Sequence, residues 1–366
     1  MSASSPLPER FLTLDLLRGI AALAVALLHL PGWQAKQVLP GAYLAVDLFF
    51  ALSGFVLAHA YLHRFSQGMT LGQFLKIRAT RLYPLYALAT LLGAGIMLAA
   101  VLTGRDSGPL SDWVSSLVFN LLCLPVPESL SVSIYFPFPF VFPAWSLFWE
   151  LVVNVLFVVL ALHLTGRRLA ALLTLGAALL AYSAWTHGSL DSGVGFHSFV
   201  DGGMRVVFSF FAGVGLYRLW RSGSLSRIHA AFGQLAVPLA VGLMMAAFMI
   251  DAGPWRALFD AGVALILFPA IIVLGTGPTP DRLHWLCTTL GAASYPLYVL
   301  HVPLYRLIFR VGRALGMPTE PYAVVIFPLS VLFVFLVSIG PAQWFDRRVR
   351  KIMQRALTPK AKAAHT

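Results

Sequence analysis

Arg18 and His29 lie eleven residues apart in an otherwise apolar run, FLTLDLLRGIAALAVALLHLPGW. In a helix that spacing is three turns plus ~20°, so both side chains share one face, ~16 Å apart along the axis. Asp15 precedes Arg18 by one turn, within side-chain reach. Ionisable groups at membrane depth are costly and face a protein interior or a wet cavity. An imidazole titrates near neutrality and can take a proton from a hydroxyl, and a guanidinium can grip a phosphate or carboxylate. The plainer alternative is that Arg18 snorkels to the interface and His29 caps the helix before Pro31.

Four more segments carry candidate groups. Asp47 sits in a second apolar run, GAYLAVDLFFALSGFVLAHAYL. In KIRATRLYPLY, Arg78 and Arg81 stand at the expected start of a helix with Pro84 in its first turn. Two guanidiniums beside a helix N-terminus suit an anionic ligand such as a phosphate; anchoring at a membrane surface is the plainer reading. In PAWSLFWELVVN, Ser146, Glu150 and Asn154 recur every four residues on one face. Glu150 there could be a base, orient a histidine, accept a substrate hydroxyl or form a structural ion pair. In LGAASYPLYVLHVPLY, Ser294, Tyr298, His301 and Tyr305 form a polar-aromatic stripe on a helix bent by Pro296 and Pro303. His301 either lines a substrate path or is a hydrogen-bonded packing residue. Arg205 either binds substrate or snorkels, and Asp260 and Arg306 are weaker candidates near span ends.

The elements that must position these groups follow from composition. The 366 residues are 59% hydrophobic and 11% charged, against ~25% charged in soluble proteins. Long continuous apolar runs require helices, so the fold class is all-α: a polytopic membrane bundle. Ten spans are expected, near 12–30, 42–62, 82–103, 143–164, 169–187, 204–217, 229–250, 257–276, 287–309 and 322–344. Val114 to Leu124 is too short to span and reads as an interfacial or re-entrant piece. It lies in a 104–142 loop whose Pro-rich end would make a lid or rim. The first run is too long for a signal-peptide core and reads as a retained span.

With ten spans, 18 of the 26 basic residues fall on the side of the two termini and five on the other, which places both termini in the cytoplasm. His29, Asp47 and Glu150 then fall at similar depth toward the outer side, as a pocket shared by several helices requires. The membrane domain is expected over 1–346, with 347–366 a solvated basic tail against anionic lipid. The net charge of +12 reflects this topology and is no nucleic-acid signal. Cys123 and Cys287 offer neither a disulfide framework nor a metal site. No internal repeat and no paired broken helices of the transporter kind are present.

Taken in order, LDLLRG with its Arg18–His29 spacing, GAYLAVDLFFALSGFVL, RATRLYPLY, WSLFWE and LGAASYPLYVLHVP resemble the acyltransferase-3 family of multi-spanning membrane proteins, over nearly the whole chain. Where relatives often carry a second acid and a tyrosine after WSL, this chain has Leu151 and Asn154. No soluble hydrolase-like domain of the kind fused to some relatives is expected, and the membrane domain is expected to act alone. The resemblance implies transfer of an acyl group, often acetyl, from acyl-coenzyme A to a hydroxyl of a carbohydrate or glycoconjugate in a bacterial inner membrane, with no permanently bound cofactor. His29 would be the base and Glu150 or Asp47 its orienting group or the acceptor's. Arg18, Arg78 and Arg81 would hold donor phosphates, with Asp15, Ser146 and His301 near substrate. A proton-coupled secondary transporter using the same buried charges is the competing class, and a catalytically silent scaffold a third.

Overall fold

The computed structural model describes residues 10–31, 35–103, 109–316 and 323–357. Arg105 and the end of the expected tail, 358–366, lie outside the described residues. The described chain is helical with no strand. Helix α1 (Leu12–Leu28) and the short α2 (Ala35–Val38) lead into α3 (Ala45–Ser66) and the long α4 (Leu71–Leu102). The short α5 (Leu110–Leu121) covers the segment expected to be too short to span. Then follow α6 (Ala144–Ala161), α7 (Gly166–His187), α8 (Phe199–Arg221), α9 (Ser226–Phe232) and α10 (Ala236–Met249). Helix α11 (Arg256–Gly262) runs through a π-helical stretch, Val263–Leu267, into α12 (Phe268–Gly275). The chain closes with α13 (His284–Ala314), α14 (Ala323–Ile339) and α15 (Pro341–Leu357).

Eight helical stretches are long and apolar enough to cross a membrane, and the chain is an integral membrane protein. Helices α1 and α13 are outside that set. They pack against each other and carry the Asp15, Arg18 and His301 side chains. Their polar groups Arg18, Ser294, His29 and His301 are turned toward one another, as the cost of exposing charge to lipid requires.

Two helix boundaries differ from expectation. Helix α4 begins at Leu71, because Thr70 and Gln73 form a reciprocal capping box: Gln73 N donates to Thr70 Oγ1 (3.3 Å) and Thr70 N to Gln73 Oε1 (2.9 Å). Arg78 and Arg81 therefore lie within the helix, and its N-terminal amides are not beside them. Helix α15 runs unbroken through the expected domain boundary at 346/347 and packs on α4, α13 and α14.

Small residues let the helices meet at backbone distance, the usual device where lipid removes a hydrophobic driving force between helices. A Cβ on Gly19 of α1 would stand 2.5 Å from Cβ of Leu290, and one on Gly291 of α13 would stand 2.6 Å from Cβ of Asp15. Helices α3 and α8 cross the same way: a Cβ on Gly54 would strike the Phe210 carbonyl, and one on Gly213 the Ala51 carbonyl. A buried ion pair clamps this second crossing. Arg205 donates to Asp47 through Nη2–Oδ2 (2.6 Å) and Nε–Oδ1 (3.2 Å), and through Nη1 to the Ser192 carbonyl (2.6 Å). Both side chains are at most 1% exposed.

Beside it, Asp260 accepts from Tyr43 Oη (2.7 Å) and the Leu190 amide (2.8 Å), and Arg256 Nε lies 2.8 Å from its Oδ1. The loop before α6 is pinned as firmly. Arg306 Nη1 donates to the Pro139 carbonyl (2.7 Å), and Asn120 Nδ2 to the Pro137 carbonyl (3.1 Å).

Gly54→Val and Gly213→Val are expected to lower the thermal midpoint of the detergent-solubilised protein, since overpacking costs ~1–3 kcal/mol even where a side chain can yield, and here backbone must yield. Asp47→Ala and Arg205→Ala should each cost ~3–5 kcal/mol by leaving a buried charge unpaired, whereas Asp47→Leu with Arg205→Met should recover most of that stability. An unchanged midpoint in Asp47→Ala would show that the pair does not hold the two helices together.

Candidate active site

The α1–α13 seam carries polar groups at both ends. At one end Asp15 holds two arginines. Arg18 Nη2 donates to Asp15 Oδ1 (2.7 Å), and Arg10 Nε to Asp15 Oδ2 (2.7 Å). Arg18 also crosses to α13, where Nε donates to Ser294 Oγ (3.0 Å) and Nη2 to the Gly291 carbonyl (3.2 Å). The missing side chain of Gly291 admits Asp15, and so brings the guanidinium within reach of α13.

Glu150 of α6 holds Arg78 of α4: Arg78 Nη2 and Ser53 Oγ both donate to Glu150 Oε1, at 2.7 and 2.8 Å. Arg78 is only 6% exposed, and its Nε is buried with no hydrogen-bond partner among the described residues. On α15, Arg350 Nη2 pairs with Asp346 Oδ2 (2.5 Å) and donates to the Arg81 carbonyl (2.7 Å).

These groups wall one cavity of about 410 Å³ between α1, α3, α4, α6, α13 and α15. Arg10, Arg18, Arg78, Arg81, Arg347 and Arg350 line it, against the carboxylates Glu150 and Asp346. Arg81 makes no side-chain hydrogen bond or ion pair among the described residues. The lining therefore carries an excess of guanidinium over carboxylate: Glu150 and Asp346 each prop one arginine in place, and the cations outnumber the acids. Ser146 and Tyr298 line the same cavity. Ser146 Oγ and Tyr298 Oη are 2.5 Å apart, and both lie within hydrogen-bond distance of the Pro143 carbonyl, at 3.1 and 3.0 Å.

Beyond Tyr298, at the other end of the seam, His29 and His301 meet. His29 Nδ1 lies 3.0 Å from His301 Nε2, and His301 Nδ1 lies 3.0 Å from the Leu297 carbonyl. Phe142 stands edge-on to His29 with ring centroids 4.9 Å apart, and Phe136 stacks on Phe142. The Pro-rich loop thus roofs the imidazole. His301 is fully buried and His29 partly so.

The residues singled out in the sequence therefore separate into three places. Arg18, Arg78, Arg81, Ser146 and Glu150 line the cavity, with Asp15 behind Arg18. His29 and His301 form a pair at the far end. Asp47 belongs to neither, because both of its oxygens are taken by Arg205 in the α3–α8 clamp. The expected common pocket of His29, Asp47 and Glu150 is thus not formed: Glu150 is drawn to Arg78, and His29 Nδ1 lies against a second histidine. His301 is not on the cavity wall.

Reasoning from the sequence missed Arg10, Arg347 and Arg350. The signal was available in α15, where Gln343, Asp346, Arg347 and Arg350 follow the i, i+3, i+4, i+7 pattern of one helix face. Neither cysteine lines the cavity. The Cys123 thiol is pushed up to about 11 by burial, and Cys287 is buried with Leu16 and Val237. Neither is a ready nucleophile.

Residues 11–341 match the family model of the acyltransferase-3 acyltransferase domain. The chain is 41% identical to protein 2 in the picA locus of Rhizobium radiobacter over 187 residues, 48% of this chain and 96% of that protein. It is 24% identical to the exopolysaccharide production protein ExoZ of Rhizobium meliloti over 283 residues, 77% of this chain and 83% of that protein. No solved structure matches the chain. With the family model covering almost all of its length and its polar groups gathered on a buried helix seam, the chain belongs to the acyltransferase-3 family and is a membrane acyltransferase.

Proposed function

We propose that the enzyme transfers an acetyl group from acetyl-coenzyme A to a hydroxyl of a carbohydrate or glycoconjugate, and that it does so in a bacterial inner membrane. The observation that carries the donor assignment is the six-arginine cavity. A coenzyme A ester bears a diphosphate and a ribose phosphate, a concentrated anion that guanidinium groups match bidentately. Its thin pantetheine arm would run along the cavity to Ser146 and Tyr298, and a thioester carried past them approaches His29, since the Tyr298 ring lies beside His301. The excess of basic residues on the side of the arginine end supports a cytoplasmic entrance, where the donor is made. The name of the Rhizobium meliloti relative, an exopolysaccharide production protein, supports a carbohydrate acceptor.

The chemistry is a direct acyl transfer. His29 takes the proton of the acceptor hydroxyl as its oxygen attacks the thioester carbonyl. The new C–O bond forms, the C–S bond breaks, and the coenzyme A thiolate leaves with the proton returned by His29. The transfer needs no metal or redox partner, and acyl-coenzyme A enters as substrate. Glu150 holds Arg78 in place for the donor and takes no part in proton transfer.

His29→Ala should reduce transfer by at least ~100-fold, the low end of what general-base catalysis supplies, with the protein still in the membrane. Mass spectrometry of surface and secreted glycans from wild-type, deletion and His29→Ala cells reads this directly. A fixed acetyl mass lost in both mutants supports the assignment, and wild-type modification in His29→Ala overturns it. Acceptor flux across the membrane without acyl-coenzyme A consumption would favour a carrier instead. Arg81→Ala and Arg347→Ala should raise the KM for acetyl-coenzyme A by ~10- to 150-fold, since a hydrogen bond to a charged group is worth ~1.5–3 kcal/mol, with little change in kcat. An unchanged KM in both variants would place the donor phosphates elsewhere.

A further inference from the structure

The contact between His29 and His301 has a direction, and the direction follows from its far end. A backbone carbonyl only accepts hydrogen bonds. His301 Nδ1, 3.0 Å from the Leu297 carbonyl, must therefore carry the proton of that bond. The His301 ring is fully buried among Tyr298, Tyr305 and His29, and no carboxylate of the described residues forms a hydrogen bond or ion pair with it. A buried imidazolium with no counter-charge is strongly disfavoured, so the ring is neutral and its Nε2 is an acceptor. His29 Nδ1 faces that acceptor at 3.0 Å and donates to it.

The ring planes are inclined by only 21° and the centroids are 5.1 Å apart, which matches the N···N distance plus two ring radii. The hydrogen bond therefore lies in the plane of both rings, the arrangement a donor N–H and an acceptor lone pair require.

We infer that His301 is a positioning residue that sets the tautomer of His29, so that Nδ1 of His29 is the protonated nitrogen and Nε2 the basic one. This rests on the reading of His29 as the general base. In a neutral imidazole one nitrogen donates and the other accepts, and whatever binds the first decides which nitrogen can take a proton. The pair does with two histidines what a carboxylate–histidine pair does in hydrolytic triads: it orients the ring, selects the tautomer, and offers an acceptor to the imidazolium that forms when the hydroxyl proton is taken. A second histidine does so without placing a permanent charge deep in the bundle. Leu297 completes the relay, because its carbonyl denies His301 the other tautomer.

The test compares four variants purified in detergent, with thiol release from acetyl-coenzyme A in the presence of acceptor as readout. His301→Gln places an amide oxygen where Nε2 stands and can still accept from His29. His301→Asn is too short to reach it, and His301→Leu cannot accept at all. The expected result is a loss in kcat of at least ~100-fold in His301→Leu and His301→Asn, comparable to the general-base contribution. The KM for acetyl-coenzyme A should be unchanged, and His301→Gln should recover most of the loss.

Equal losses in His301→Gln and His301→Asn, with all variants monodisperse, would overturn the inference, since packing rather than an acceptor would then be the role. Wild-type kcat in His301→Leu beside an inactive His29→Ala would overturn it while leaving His29 as the base. Activity in His29→Ala would remove the base assignment itself. Should His301→Leu fail to fold, the contrast between Gln and Asn decides.

Discussion

The close approach of α1 and α13 is the contact on which the polar interior depends. Glycine at positions 19 and 291 removes the Cβ atoms that would hold the two backbones apart. With them gone, Arg18 reaches Ser294 and the Gly291 carbonyl at one end, and His29 reaches His301 at the other. In a bilayer there is little hydrophobic gain from pressing two apolar helices together, so close packing and interhelical hydrogen bonds must supply the association. Here the same bonds also aim the groups that carry chemistry. A seam built this way tolerates Arg18 and His29 on α1 and Ser294 and His301 on α13 because they bond across it.

The arginines of the cavity show how charge is kept at membrane depth without being neutralised. Asp15, Glu150 and Asp346 each hold one or two guanidiniums, yet they are outnumbered, and Arg78 keeps a buried Nε without a partner among the described residues. An unpaired donor in a low-dielectric wall is costly to the empty protein and favourable to an anion that enters. Asp47 and Arg205 show the opposite arrangement: a one-to-one bidentate pair, almost fully buried, with the remaining donors spent on carbonyls. Both arrangements use the same residue types. Stoichiometry and solvent access separate a binding wall from a structural clamp.

The stripe Asp15–Arg18–His29 was legible because helical periodicity converts spacing into a shared face, and the described α1 keeps all three on the α13 side. Ser146, Glu150, Arg78 and Arg81 were legible as polar groups in apolar surroundings. Their partners were not. Asp47 and Glu150 have the same charge and similar expected depth, and only the α3–α8 crossing decides that Asp47 meets Arg205 while Glu150 meets Arg78. Arg347 and Arg350 were not legible as cavity residues, because composition cannot tell a helix face turned to lipid headgroups from one turned to a cavity.

The sequence by itself determined the class of the protein: long apolar runs force transmembrane helices, and their ordered motifs mark the acyltransferase-3 family. It also determined which side chains could be chemical, since every ionisable residue in such a run carries an energetic cost that must be offset. Only the tertiary structure decided the pairings: His29 with His301, Glu150 with Arg78, Asp47 with Arg205, and α15 against α4. Helical periodicity is local and survives in one dimension. Which face meets which neighbour depends on where glycines let backbones touch across hundreds of residues of chain, and no spacing within one helix records that.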